Sequence, residues 1–331
     1  MIKRAIQVGA GGWGDSWLNF LDQAPDWELV GLASRGGSNL QNAQDKWSIS
    51  EDRCFTDIER ALDVDADVVI VTTPHHLHVD QIKKAVDAGK HVLCEKPLAD
   101  SFSDAKEAVA YAKANDRILA VSQNFRYREG LWQLRAAAQG AAGPVNSLGI
   151  ELVQHHWAQP EWRIKQSSPI LMEIMIHHVD MTRFLLGFDA RSVFCRAWNP
   201  PWAETEGTCV TTCVVEFENG ANLSYSGSWA ARGDVGTWEG AWRVQFENGS
   251  ARWNGEDLTF EGHDDTALET PQAQDFPGMD RLGVLKDLAE AIDGTKTFPT
   301  DGEDNLKSLG IVFAALKSAK ENRVVEMSEV L

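Results

Sequence analysis

The stretch that decides the fold is Lys3-Arg-Ala-Ile-Gln-Val8 running into Gly9-Ala10-Gly11-Gly12-Trp13-Gly14. A short apolar strand feeds a G-x-G-x-x-G loop, and a helical stretch, Trp13–Leu21, follows at once. That setting is the dinucleotide-binding pattern, in which each glycine has a task. The first permits the tight turn, the second lets the backbone approach a pyrophosphate, and the third lets helix and strand pack closely. The helix amino terminus then faces the phosphates. A glycine-rich surface turn is the bland alternative, and the flanking strand and helix argue against it.

Outward from this loop, strand and helix alternate to about residue 124. Strands are expected at Lys3–Val8, Leu29–Ala33, Asp67–Thr72, His91–Glu95 and Ile118–Val121, with a short one at Arg53–Phe55. Helices are expected at Trp13–Leu21, Asn39–Trp47, Asp57–Ala61, Val79–Ala88 and Asp104–Ala114. This spacing suits a doubly wound parallel sheet. From Val145 the grammar changes to alternating runs with Asn-Gly turns: Cys209–Phe217, Asn219-Gly220, Ala221–Trp229, then Trp242–Phe246, Asn248-Gly249, Ala251–Trp253. They predict a large, mostly antiparallel open sheet, accompanied by helices at Pro169–Leu186 (Ser168 as N-cap, Gly187 as stop), Asp280–Ile292 and 303–320. The expected class is therefore α/β with two domains, 1–124 and 125–331, the last helix lying near their boundary.

Composition narrows the function. At 331 residues the chain exceeds the comfortable size of a single core. A formal charge of −18 repels nucleic-acid phosphates and anionic membranes, so neither is an expected partner. With no signal-like or membrane-spanning stretch, a cytoplasmic protein is expected. The five cysteines lack metal-ligand spacing and read as small buried hydrophobes in a reducing compartment. The histidine clusters (75, 76, 78; 155, 156; 177, 178) also lack a ligand rhythm, so no metal is expected.

About twenty residues past the glycine loop, where a carboxylate would accept the ribose hydroxyls of NAD, stands Ala33-Ser34-Arg35. A guanidinium can hold a 2′-phosphate bidentately and a serine hydroxyl can donate to it, so NADP(H) is the expected cofactor, with NAD(H) the alternative. The competing reading is a solvated surface arginine. At the end of another strand sits Glu95-Lys96-Pro97, at the sheet edge where ligands bind in such folds. A Lys96 ammonium there can hydrogen-bond a reacting oxygen.

Together with Thr73-Pro74, His78, Asn124 with Arg126, Trp162-Arg163 and the helix bearing Glu173, His177 and Asp180, these motifs resemble the glucose-fructose oxidoreductase/inositol dehydrogenase (Gfo/Idh/MocA) family over essentially the whole chain. The resemblance implies a Rossmann domain followed by an α/β domain whose sheet mediates homodimer or homotetramer contacts, and a Lys96–Pro97 bond that is cis. It assigns Thr73, Pro74, His75, His78, Glu95, Lys96, Asn124, Trp162 and Arg163 to the cofactor. The expected substrate is a sugar or polyol.

Glu173, His177 and Asp180, at i, i+4 and i+7, share one face of an α-helix. A histidine can exchange a proton with a substrate hydroxyl, and a neighbouring carboxylate can orient it. The expected catalytic group is thus Lys96 as half of an inter-domain pair with His177, Glu173 or Asp180 orienting the imidazole; a core histidine paired within its helix is the rival. The segment departs from the family's Asp-x-Gly-x-His by reading Glu173-Ile-Met175-Ile-His177. Thirteen tryptophans suit sugar faces but equally suit strands and interfaces. Two further functions compete with a simple dehydrogenase: redox-assisted glycoside cleavage or internal oxidoreduction on a tightly held cofactor, and a non-catalytic NADP-sensing regulator.

Overall fold

The computed structural model describes residues 1–155, 166–264 and 267–331, which form two compact units. The first comprises Met1–Asn124 and Pro277–Leu306, the second Phe125–Phe276 and Lys307–Leu331.

In the first unit, strands β1 (Lys3–Val8), β2 (Trp27–Ala33), β3 (Cys54–Phe55), β4 (Val68–Val71), β5 (His91–Glu95) and β6 (Leu119–Ser122) form an all-parallel sheet of order β3-β2-β1-β4-β5-β6. This is the doubly wound dinucleotide-binding order, with its switch point between β1 and β4. Covered on both faces, β4, β5 and β6 are almost continuously buried, which is why they read as apolar runs. Helices α1 (Gly12–Gln23), α2 (Ser38–Trp47), α3 (Ile58–Leu62), α4 (His78–Asp87) and α5 (Phe102–Ala114) make the crossovers. Side chains start two of them: Asp57 accepts from Arg60 N in α3, and Ser101 accepts from Asp104 N in α5. Each such cap contributes about 1 kcal/mol.

The second unit opens with α6 (Glu129–Gln139) and β7 (Val145–Val153). A buried helical segment follows, then β8 (Ala190–Trp198), β9 (Val210–Phe217), β10 (Asn222–Ser228), β11 (Ala241–Phe246), β12 (Gly249–Trp253) and β13 (Leu258–Gly262). With β14 (Val325–Glu326) they form a sheet of order β13-β12-β11-β7-β10-β9-β8-β14. Every pairing is antiparallel except β7 with β10, so the meander expected from the Asn-Gly turns carries one parallel seam. The first Asn-Gly lies in a three-residue loop, 218–220, closed by the Phe217 N to Ala221 O bond next to the Glu216–Asn222 pair, with Gly220 at φ +84°. One sheet face is buried through Cys213, Val215, Phe217, Leu223 and Tyr225; the other exposes Phe194 and Val214. Cys195 and Cys213 lie directly opposite each other on β8 and β9, with Sγ atoms 2.7 Å apart.

The helix expected over Pro169–Leu186 differs in form. Ile170–Met175 is π-helical and only Ile176–Leu186, here α7, is α-helical. Ser168 is not a side-chain cap: its hydroxyl is 2.7 Å from Thr208 Oγ1, which donates to it. Gly187 closes α7 at φ +72°, its N–H bonding Arg183 O. Nearly every side chain from Ile170 to Arg183 is buried, so the segment is enclosed all round instead of amphipathic.

The expected 125–331 domain is interrupted. Residues 277–306, with α8 (Asp280–Ile292) and the first turn of α9 (Gly302–Glu321), return to the first unit. The reason is edge pairing on β6: Val121 N donates to Thr300 O and Thr300 Oγ1 donates to Val121 O. Among the described residues, no helix is long and apolar enough to cross a membrane.

Candidate active site

The glycine loop leaves β1 at the carboxyl edge of the first unit's sheet. Gly9 stands at φ +111°, and a Cβ on Gly14 would overlap the Gly9 carbonyl oxygen, so neither position takes a side chain without moving the backbone. A Cβ on Gly11 or Gly12, in contrast, meets nothing within 4 Å among the described residues. Gly11 is the N-cap of α1 and offers no side-chain cap, which keeps the first-turn N–H donors for a ligand. A dinucleotide diphosphate fits this arrangement: bare backbone, open space and helix N–H groups coincide. Trp13, in the first turn, is 48% exposed.

Two buried side chains missed by sequence reasoning brace the loop from beneath. Gln7 Nε2 donates to Gly9 O and Gly14 O at 2.8 and 2.9 Å, and Thr72 Oγ1 lies 3.1 and 3.2 Å from Val8 O and Gly9 O. A fully buried glutamine inside an apolar strand was the available signal, since such a group must find partners.

Lys96 leaves β5 half-buried, and the Lys96–Pro97 bond is cis. Glu95 is buried and points inward: Trp17 Nε1 donates to its Oε1 at 2.7 Å and Lys96 N to its Oε2 at 3.2 Å. This pins the Lys96 turn to α1, so Glu95 serves the site through its neighbours. His78 is likewise enclosed, with Nε2 2.8 Å from Thr73 O and Nδ1 3.1 Å from Pro97 O. Burial pushes its pKa down to about 4, against the pull of the Thr73 carbonyl. The neutral ring donates one of these bonds and ties the β4 and β5 strand ends together. His75 bonds Asp100 and lowers that carboxyl's pKa, Thr73 Oγ1 donates to Gln81 Oε1 at 2.6 Å, and Pro74 precedes a 3₁₀ turn, His75–Leu77. Asn124 Nδ2 donates to Asp280 Oδ1 at 2.9 Å. At the specificity position Ser34 is half-buried and Arg35 exposed.

In the second unit, His177 is 3% exposed and stacks on Phe125, with ring centroids 4.2 Å apart and planes 17° from parallel. Phe125, between Asn124 and Arg126, was not singled out from sequence. Glu173, also 3% exposed, accepts from Gln166 Nε2 at 2.9 Å. The π-helical segment changes the phase of Glu173 relative to the α-helical spacing assumed from sequence. Asp180 is engaged elsewhere: Arg126 Nε and Nη2 donate to its two oxygens at 2.6 and 2.8 Å, and Ser308 Oγ donates to Oδ1 at 2.8 Å. A buried bidentate pair of this kind ties Asp180 to Arg126 and Ser308. Trp162 and Arg163 lie outside the described residues.

The family comparisons divide along the same lines. Residues 3–123 match an oxidoreductase family with an NAD-binding Rossmann fold, and residues 133–252 match the Gfo/Idh/MocA C-terminal domain. An uncharacterised protein of Sinorhizobium fredii is 27% identical over 100% of this chain and 97% of its own length. Inositol 2-dehydrogenase of Salmonella typhimurium is 29% identical over 58% of this chain and 57% of its own, so that match spans little more than half of the relative. A crystal structure of an Agrobacterium radiobacter oxidoreductase in complex with NAD+, L-tartaric acid and magnesium shares the fold across 100% of both chains, with a TM-score of 0.90 at 23% identity. The chain belongs to the Gfo/Idh/MocA family of NAD-binding oxidoreductases.

Proposed function

We propose that this protein is an NAD(P)-dependent dehydrogenase or reductase that interconverts an alcohol and a carbonyl on a sugar or polyol, with NADP(H) preferred. The observation that carries the reading is Lys96, leaving β5 at the same sheet edge as the glycine loop. Inositol 2-dehydrogenase, named among the relatives, supports the substrate class.

Bound at the glycine loop, a nicotinamide cofactor supplies the hydride acceptor or donor. Gly11, Gly12 and the first turn of α1 hold its diphosphate, Ser34 and Arg35 take a 2′-phosphate, and Thr73, Pro74, His75 and Asn124 line its nicotinamide end. His78 and Glu95 act indirectly by fixing the turns on either side. Lys96 donates a hydrogen bond to the reacting oxygen, stabilising alkoxide during oxidation or polarising the carbonyl during reduction. His177 accepts the hydroxyl proton or returns it, and Glu173 favours its charged form. Stacking on Phe125 restricts the ring's orientation. Trp162 and Arg163 keep the cofactor role that the family pattern gives them.

A homo-oligomer through the second unit's sheet is part of the proposal, supported by the exposed Phe194 and Val214 on its uncovered face. The test is a panel of polyols, aldoses and ketoses followed at the nicotinamide absorbance with both cofactors. Turnover of at least one polyol or sugar is expected, faster with NADP(H). No turnover across the panel, or equal or weaker binding of NADP than of NAD, would overturn the corresponding part.

A further inference from the structure

Arg281 follows Asp280 at the start of α8 and is only 4% exposed. It sits on the face of α1 that carries Trp13, Trp17 and Phe20, spaced i, i+4 and i+7 as one aromatic stripe. Its guanidinium carbon is 4.3, 5.3 and 5.1 Å from those three ring centroids. Polar contacts are sparse. Nη1 is 3.4 Å from Ser16 Oγ and 3.6 Å from Asp280 Oδ1, while the buried Nε and Nη2 have no hydrogen-bond partner among the described residues. Asp280 is itself shared, accepting from Asn124 Nδ2 and from Arg281 N. Glu95 accepts from Trp17 Nε1 of this stripe.

A guanidinium withdrawn from water is costly unless paired, and aromatic faces compensate only partly. The residue before it adds strain, since Asp280 stands at φ +53°, which a non-glycine residue rarely adopts. Two unfavourable features thus meet at the start of α8, where Arg281 packs on the half-exposed Trp13 in the first turn of α1. Such features persist where they position something.

We propose that Arg281 is a positioning residue of the dinucleotide site: it clamps the Trp13 indole on α1 and keeps a weakly compensated positive charge behind the loop that receives the diphosphate. The inference rests on the glycine loop being that site. Its test is calorimetric titration of wild type, Arg281→Met, Arg281→Lys, Trp13→Leu and the Arg281→Met/Trp13→Leu double variant with NADH and NADPH, together with ligand-free melting temperatures. Methionine preserves length and apolar stacking. About tenfold weaker dinucleotide binding is expected for it, with a ligand-free melting temperature equal to or above wild type because a poorly paired buried charge is gone. Lysine should recover part of the affinity. The double variant should bind less weakly than the two single losses combined, since the clamp part of the Arg281 contribution acts through the Trp13 indole. Wild-type affinity in Arg281→Met, or a lower melting temperature with unchanged affinity, would overturn the inference and make Arg281 a packing residue. Wild-type protein that binds neither dinucleotide would overturn the loop assignment, and this inference with it.

Discussion

The glycine loop and the segment around His177 both hold unusual backbone beside chemistry, but they reach it by opposite means. At the loop, side chains are missing: Gly14 has no room for one, and Gly11 and Gly12 leave open space over bare backbone. Around His177 the side chains are large and enclosed, and the chain widens from α- to π-helical turns over Ile170–Met175. A geometry made by omission depends on a few glycines and their braces. A geometry made by packing depends on everything around it, including the Arg126–Asp180–Ser308 cluster.

That contrast can be broken most forcefully at Asp180. Asp180→Asn removes the carboxylate that Arg126 holds bidentately in a buried setting, and a stability loss of about 3–5 kcal/mol is expected in urea unfolding. A loss below about 1 kcal/mol would show that the segment does not rely on its ionic support.

Two buried histidines, one in each region, sharpen the comparison through pH. His78 and His178 both have pKa values lowered to about 4, chiefly by burial. His178 spans Tyr225 Oη and Trp238 O, each 3.1 Å away. Because the folded protein resists protonation that the unfolded chain accepts near pH 6.5, their stabilisation is present above that pH. It falls away as pH drops from about 6.5 to 4, at roughly 3 kcal/mol per histidine. Unfolding midpoints at pH 7 and pH 4.5 measure this, and equal stability at the two would contradict both placements.

His177→Asn keeps a polar planar group but removes the titration. A fall in kcat of about a hundredfold is expected, with loss of the inflection that the imidazole gives the pH–rate profile. An unchanged profile would return His177 to a core role. The smallest effect belongs to the loop region's surface: Arg35→Ala should weaken NADP binding about tenfold and leave NAD binding nearly unchanged. Equal changes for the two cofactors would break the specificity assignment.

The same contrast governs what could be read from the sequence. The Met1–Asn124 part of the first unit was legible to within about two residues because its parallel strands are continuous apolar runs and its turns carry glycine, whereas the return of residues 277–306 to it was not. Strand β8 was not read: Arg191 and Arg196 interrupt it, and Phe194 faces outward. Missing it concealed that Cys195 stands across from Cys213. The parallel β7–β10 seam was hidden because Asn-Gly turns report only hairpins. Spacing placed Glu173, His177 and Asp180 on one face by assuming an α-helix, and π-helical turns come from enclosure that spacing does not record. Gln7 was visible as a polar residue in an apolar strand, whereas Phe125 and Arg281 acquire meaning only through their partners.

The central claim is that Lys96 acts on the reacting oxygen and not on the cofactor's hold. The most direct measurement compares wild type and Lys96→Ala in two readouts, dinucleotide affinity by calorimetry and turnover of the polyol or sugar accepted by wild type. Affinity within about twofold of wild type and kcat lower by about a hundred- to a thousandfold are predicted. Undiminished turnover in the alanine variant would contradict the account.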